Sequence, residues 1–126
     1  MLLRTPDQMR AIDAAAGPEA AIKLMRAAGE RVAEAARKQA PAGRVVAFAG
    51  PGNNGGDALA ALARLVPSYQ CVAYREVSAS PSPAYGDAER AARDAGVRFE
   101  PLPGDSKTAQ AAIAECALIL DGLLGT

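Results

Sequence analysis

The run 48-FAGPGNNGGDALAAL-62 constrains the fold more tightly than any other part of this chain. Just before and into it, Val45, Val46, Ala47, Phe48 and Ala49 are continuously apolar. That is the pattern of a strand covered on both faces, not of one with a wet side. After it, Gly55 to about Leu65 is an Ala/Leu-rich stretch that reads as a helix. A buried strand, a glycine-rich turn and a helix in immediate succession form the opening unit of a parallel sheet with helices on its faces.

The rest of the chain repeats the alternation. Thr5-Pro6-Asp7-Gln8 carries a cap, a proline suited to the first helical position and a capping-box glutamine. Met9, Ile12 and Ala16 then share a face until Gly17-Pro18 stops the helix. A second helix is predicted from Pro18 to Gln39, with Ile22, Met25, Val32 and Ala36 along its stripe. Gly29 in its middle costs about 1 kcal/mol relative to alanine. It marks either close packing against a neighbour or a tolerated surface glycine. Beyond the glycine loop come a strand at Gln70–Val77, a loop over 78–87 and a helix from Asp87 closed by Gly96. A short strand at Val97–Phe99, a helix from Ser106 to Cys116 and a buried strand at Ala117–Asp121 complete the pattern. The fold class is α/β with a mainly parallel sheet.

Composition removes several chemistries. The 126 residues suit one domain with one core. Fourteen basic and fourteen acidic side chains balance, which disfavours a nucleic-acid or anionic-membrane surface. No apolar run is long enough for a membrane span, and the first residues are too short for a signal-peptide core. Cys71 and Cys116 stand apart in apolar runs and read as buried thiols, in a cytoplasmic setting. Histidine is absent, so zinc sites and His-based triads are disfavoured, and acid–base work falls to Asp, Glu, Lys, Tyr or water.

Three readings compete for the glycine loop. Gly50, Gly52 and Gly55 spell GxGxxG, and Glu76 stands about 20 residues on, where a ribose-binding acid belongs. Pro51 and the Asn53-Asn54 pair fit that fingerprint badly. A phosphate-cradling P-loop needs Lys and Ser or Thr where Gly56-Asp57 stand, and is rejected. In the third reading the Asn53 and Asn54 amides and Asp57, placed in the first helical turn, face a polar ligand and a hard cation with oxygen donors. Asn-Gly is also ordinary turn chemistry, but the loop's place at the carboxyl end of a buried strand favours a site.

The segment 50-GPGNNGGDALAALARLV-66 closely resembles the YjeF N-terminal-domain family, the NAD(P)H-hydrate epimerases. The segments 7-DQMRAIDAAA-16, 24-LMRAAGERVAEAA-36 and 118-LILDGLLGT-126 are similar to further parts of that family. The resemblance implies a Rossmann-like three-layer αβα sandwich. It implies interconversion of the R and S epimers of hydrated NADH and NADPH, a metabolite-repair reaction, in a homodimer. It also implies that Asn53, Asn54, Gly55, Gly56 and Asp57 contact the hydrated nucleotide, together with a loop at Gly125 and Thr126. Asn54 and Asp121 would bind a potassium ion, leaving Asp57 as the acid–base candidate. The family continues past Gly125-Thr126 with a further loop and an Asp-Ile-Pro-Ser-Gly-type strand end, so residues 1–126 are expected to form a single domain lacking its C-terminal part, the front of a longer and possibly bifunctional epimerase/dehydratase. Arg26 stands where the family usually has Glu, and Gly122 where alanine is commoner. The alternatives are a non-catalytic binding or scaffold module of the same fold, and an NAD-dependent oxidoreductase using Glu76.

Overall fold

The computed structural model describes residues 6–77 and 80–123, with side chains from residue 17 onward. The element order is α1 (Pro6–Gln39), β1 (Arg44–Ala49), α2 (Asn53–Leu65), β2 (Gln70–Arg75), α3 (Pro83–Ala95), β3 (Arg98–Pro101), α4 (Ser106–Ile113) and β4 (Leu118–Gly122). The four strands form one parallel sheet in the order β3-β2-β1-β4. Helix α1 is two helices meeting at Gly17, whose φ of 81° and ψ of 176° break the spiral before Pro18. The expected Thr5 cap lies outside the described residues.

Strand β1 is central because its sequence is apolar on both sides. Val45, Val46, Ala47 and Ala49 are fully buried, and β1 pairs with β2 and β4 in register, Val46 lying between Val72 and Ile119. One face of the sheet carries α2 and α3, with α1 laid across them, and the cluster of Met25, Ala33, Leu59, Leu62, Leu65 and Tyr85 fills the space between. The crossover from β3 to β4 runs past β2 and β1 in the reverse direction, so a right-handed connection carries α4 to the other face. The result is the expected three-layer, Rossmann-like α/β arrangement.

Small residues set how closely these helices approach. A Cβ at Gly29 would stand 2.5 Å from the Ala60 Cβ and 2.8 Å from the Ala60 carbonyl carbon. Gly29 is therefore a packing requirement where α1 crosses α2, not a tolerated surface glycine. Arg26 donates to both carboxylate oxygens of Asp87, at 2.9 and 2.6 Å, and clamps α1 to α3. This accounts for an arginine at that position.

Several elements differ from the sequence expectation. Helix α3 starts four residues earlier than Asp87, because Ser82 caps it through the Tyr85 N–H at 3.1 Å and Pro83 fits its first position. Helix α4, capped by Asp105 at the Thr108 N–H, ends at Ile113, and Glu115 turns the chain at a positive φ of 63°. Strand β4 is not buried on both faces. Leu118 and Leu120 pack on the core, whereas Ile119 is 42% exposed and Asp121 is exposed. Its only strand partner among the described residues is β1. Of the two cysteines, Cys71 is buried and Cys116 only half-buried. Among the described residues no helix is long and apolar enough to cross a membrane.

Candidate ligand and cation site

The strand order reverses between β1 and β4, and ligands of parallel α/β sheets bind beyond the carboxyl ends of the strands at such a point. The Gly50 N–H donates to the Gly122 carbonyl at 3.0 Å and ties the two strand ends together. The turn itself is only Gly50-Pro51-Gly52. Helix α2 starts at Asn53, two residues before the expected start, and its first helical bond runs from Gly56 N–H to the Gly52 carbonyl at 3.1 Å. No side chain caps this end, where a helix leaves its first N–H groups without helical partners.

Close approach explains two of the glycines. A Cβ on Gly55 would collide with the Gly50 carbonyl oxygen, and one on Gly122 would lie 2.8 Å from the Asn54 carbonyl oxygen. The end of β1, the start of α2 and the end of β4 thus meet with only backbone between them.

Two clefts open at this end of the sheet. The smaller, about 260 Å³, is lined by Val32 of α1, Asn54, Asp57 and Ala58 of α2, and Ile119, Leu120 and Asp121 of β4. The larger, about 370 Å³, lies between Ala21, Leu24, Met25, Ala28 and Arg31 of α1, Asn53 and Asp57 of α2, and Ser82, Pro83 and Ala84 at the start of α3. Asp57 lines both. The fold therefore gathers Asn53, Asn54, Asp57 and Asp121 around adjoining spaces, although Asp57 and Asp121 lie in distant parts of the sequence. Gly55 and Gly56 are buried beneath them. Gly125 and Thr126 lie outside the described residues.

The early start of α2 moves Asp57 into the second helical turn, so it is not the first-turn acid that the sequence suggested. Its carboxyl is pushed above the ordinary aspartate value by burial, and the Arg31 guanidinium pulls it partly back. Such a group holds a proton more readily than a surface aspartate. Asp121 is the next-to-last residue of β4, and its Oδ1 accepts from the Leu123 N–H at 3.0 Å. The oxygens of Asn54 and Asp121 in one cleft are the donor chemistry of a hard cation, though fewer than the six to eight that calcium takes. Among the described residues no group of three or more His, Cys, Asp or Glu could hold a metal.

Glu76 follows β2, is exposed, and lines neither cleft; its N–H bonds the Ala49 carbonyl at 3.1 Å. The wall formed by Leu24, Ala28, Arg31, Ser82 and Pro83 was not anticipated from sequence. The signal lay in the spacing 21, 24, 28, 31, one face of α1.

The chain resembles known proteins in both sequence and fold. The sequence model described as "YjeF-related protein N-terminus" matches residues 21–126. The NAD(P)H-hydrate epimerase of Clavibacter sepedonicus is 41% identical over 107 residues, which cover 84% of this chain and 45% of that protein. The bifunctional NAD(P)H-hydrate repair enzyme Nnr of Hyperthermus butylicus is 40% identical over 111 residues, covering 83% of this chain and 20% of that enzyme. The crystal structure of yeast ynu0 superposes with a TM-score of 0.70 at 24% identity, over 86% of this chain and 50% of that one, a likeness of fold. The chain spans half or less of the length of these relatives.

Proposed function

The chain belongs to the family of YjeF-related protein N-termini, and from that premise we propose that it acts as an NAD(P)H-hydrate epimerase domain. The observation that carries this is the convergence of Asn54, Asp57 and Asp121 on one cleft at the switch point of the sheet. The epimerase names of two-fifths-identical relatives support it.

Inverting the carbon that bears the hydroxyl requires either that the hydroxyl leave and return or that the ring open and reclose, and the first route is the one developed for these carboxylates. The C–O bond breaks with its electron pair on oxygen, a general acid protonates the departing group to water, and a cation conjugated with the ring nitrogen remains. Water then adds to the opposite face, and its proton returns to the acid's conjugate base. Asp57 is the residue we assign to this proton, since burial holds its carboxyl above the usual range. Asp57, left as a carboxylate once it has given up that proton, would also stabilise the transient positive charge. Asn54 and Asp121 are the residues that would hold a potassium ion, which when bound would fix the ligand's polar groups by oxygen coordination. The same reading makes the complete protein a cytoplasmic homodimer acting on a small molecule, without nucleic acid or membrane.

The test is direct. Purified S or R hydrate of NADPH is incubated with the protein and the epimers are separated by chromatography. Conversion of either epimer to a mixture supports the reading. Tight binding of both hydrates with no interconversion would make this a binding module instead.

A further inference from the structure

Resting on the epimerase reading, we propose that the larger cleft holds the adenosine half of the dinucleotide, with Arg31 meeting its phosphates as they pass toward Asn54 and Asp121. Four observations lead there. First, the clefts are continuous in chemistry: Asp57 lines both, and on α1 Arg31 lines the larger cleft while its neighbour Val32 lines the smaller. Arg31 therefore stands at the junction. Second, Arg31 is the one cation among the residues lining either cleft, and it forms no ion pair within the described residues. Arg26, one turn earlier, is by contrast fully engaged by Asp87.

Third, the wall beyond Arg31 is apolar. Leu24 is 61% exposed there, beside Met25, Ala28 and Pro83, as a flat base requires. An exposed leucine at a cleft mouth otherwise lacks a covering partner. Fourth, ligand pockets run to roughly 300–1,000 Å³; the smaller cleft falls below that range, and only the two together reach its middle. The cation has a further consequence. A diphosphate passing Asp57 would meet a carboxylate, and Arg31 offsets that repulsion.

The experiment is calorimetric titration of the 126-residue chain with ADP-ribose, AMP and nicotinamide mononucleotide, comparing wild type with Arg31→Gln, Leu24→Asp and the control Lys23→Gln. Both test positions are exposed, so the variants fold as the parent does, which cooperative unfolding verifies. Arg31→Gln should weaken ADP-ribose by about 10-fold or more, the loss of a charge-assisted bond, and flatten the fall of affinity with salt. Leu24→Asp should weaken ADP-ribose and AMP by about 10-fold and leave nicotinamide mononucleotide unchanged. Lys23→Gln should change nothing. ADP-ribose bound equally by all four proteins, or by none, overturns the proposal. If the hydrates are interconverted with KM unaltered in both variants, the cleft assignment falls and the epimerase reading stands. If ADP-ribose responds to Arg31 and Leu24 but no hydrate is interconverted, the reverse holds.

Discussion

Replacing Gly29 with alanine sets two effects of opposite sign against each other. In an exposed helix, Gly→Ala stabilises by about 1 kcal/mol through backbone entropy. Here the new methyl would stand 2.5 Å from the Ala60 Cβ, 2.8 Å from the Ala60 carbonyl carbon and 3.0 Å from the Ala61 nitrogen. Carbon atoms rest at about 3.5–4.0 Å, so α1 must retreat by about 1 Å, since two of the three obstacles are backbone and have no rotamer to change. Overpacking of this kind costs about 1–3 kcal/mol. Net destabilisation should reach up to about 2 kcal/mol, or a urea midpoint lower by up to about 1 M for a slope near 2 kcal/mol/M. The double variant Gly29→Ala, Ala60→Gly removes the worst contact and should recover part of the loss beyond additivity. Urea unfolding followed by circular dichroism measures all three. A more stable Gly29→Ala protein would refute the reasoning, because it would show that α1 does not lie against Ala60.

Other expectations concern charge and the site. Burial raises the Asp57 carboxyl, so the folded state binds its proton more tightly than the unfolded one, and this group's contribution to stability declines as pH rises through the folded pKa. Asp57→Asn should therefore be more stable than wild type at pH 7, with the advantage disappearing below the ordinary aspartate range, while epimerisation is lost; unfolding at pH 3 and pH 7 tests the sign. For Glu89, burial pushes the carboxyl up, but Arg75 and Arg93 more than offset it and leave it below its usual value. That stability is present above the unfolded carboxylate pKa and lost as pH falls through the folded one. Glu89→Gln should cost about 1–3 kcal/mol at pH 7, short of a fully buried pair, because Arg75 is only 10% exposed and loses its partner at 2.7 Å; thermal unfolding at pH 7 and pH 3 should show the difference shrinking with acid. Asn54→Ala and Asp121→Ala should each abolish any potassium dependence of hydrate binding, measured by titration in potassium and in sodium.

The alternation of buried strands and helices was legible because it is local. Val45 to Ala49 announces a doubly covered strand, and the GPGNNGGD run announces a turn into a helix. The Ser-Pro composition of 78–87 is that of a loop, yet Ser82-Pro83 is a helix start. Asp57 stands out in the sequence as a candidate acid, but its burial does not. Its burial depends on how α1 crosses α2, and no spacing within the loop reports that. The larger cleft was invisible for the same reason, since Leu24, Arg31, Asn53 and Ser82 come together only through the packing of three helices. Gly29 lay between these cases: sequence marked it as unusual, and only the distance to Ala60 decided between its two explanations.

The most direct test of the central claim, that the start of α2 and the end of β4 form one site for hydrated nucleotide, is amide chemical-shift mapping of the chain during titration with NADPH hydrate. The account predicts that the largest shifts cluster at Asn53–Asp57 and Asp121–Leu123, and that both clusters saturate with one affinity. Shifts centred on Glu76 and the end of β2, with Asp121 unmoved, would contradict it and favour a ribose-binding dinucleotide fold of the ordinary kind.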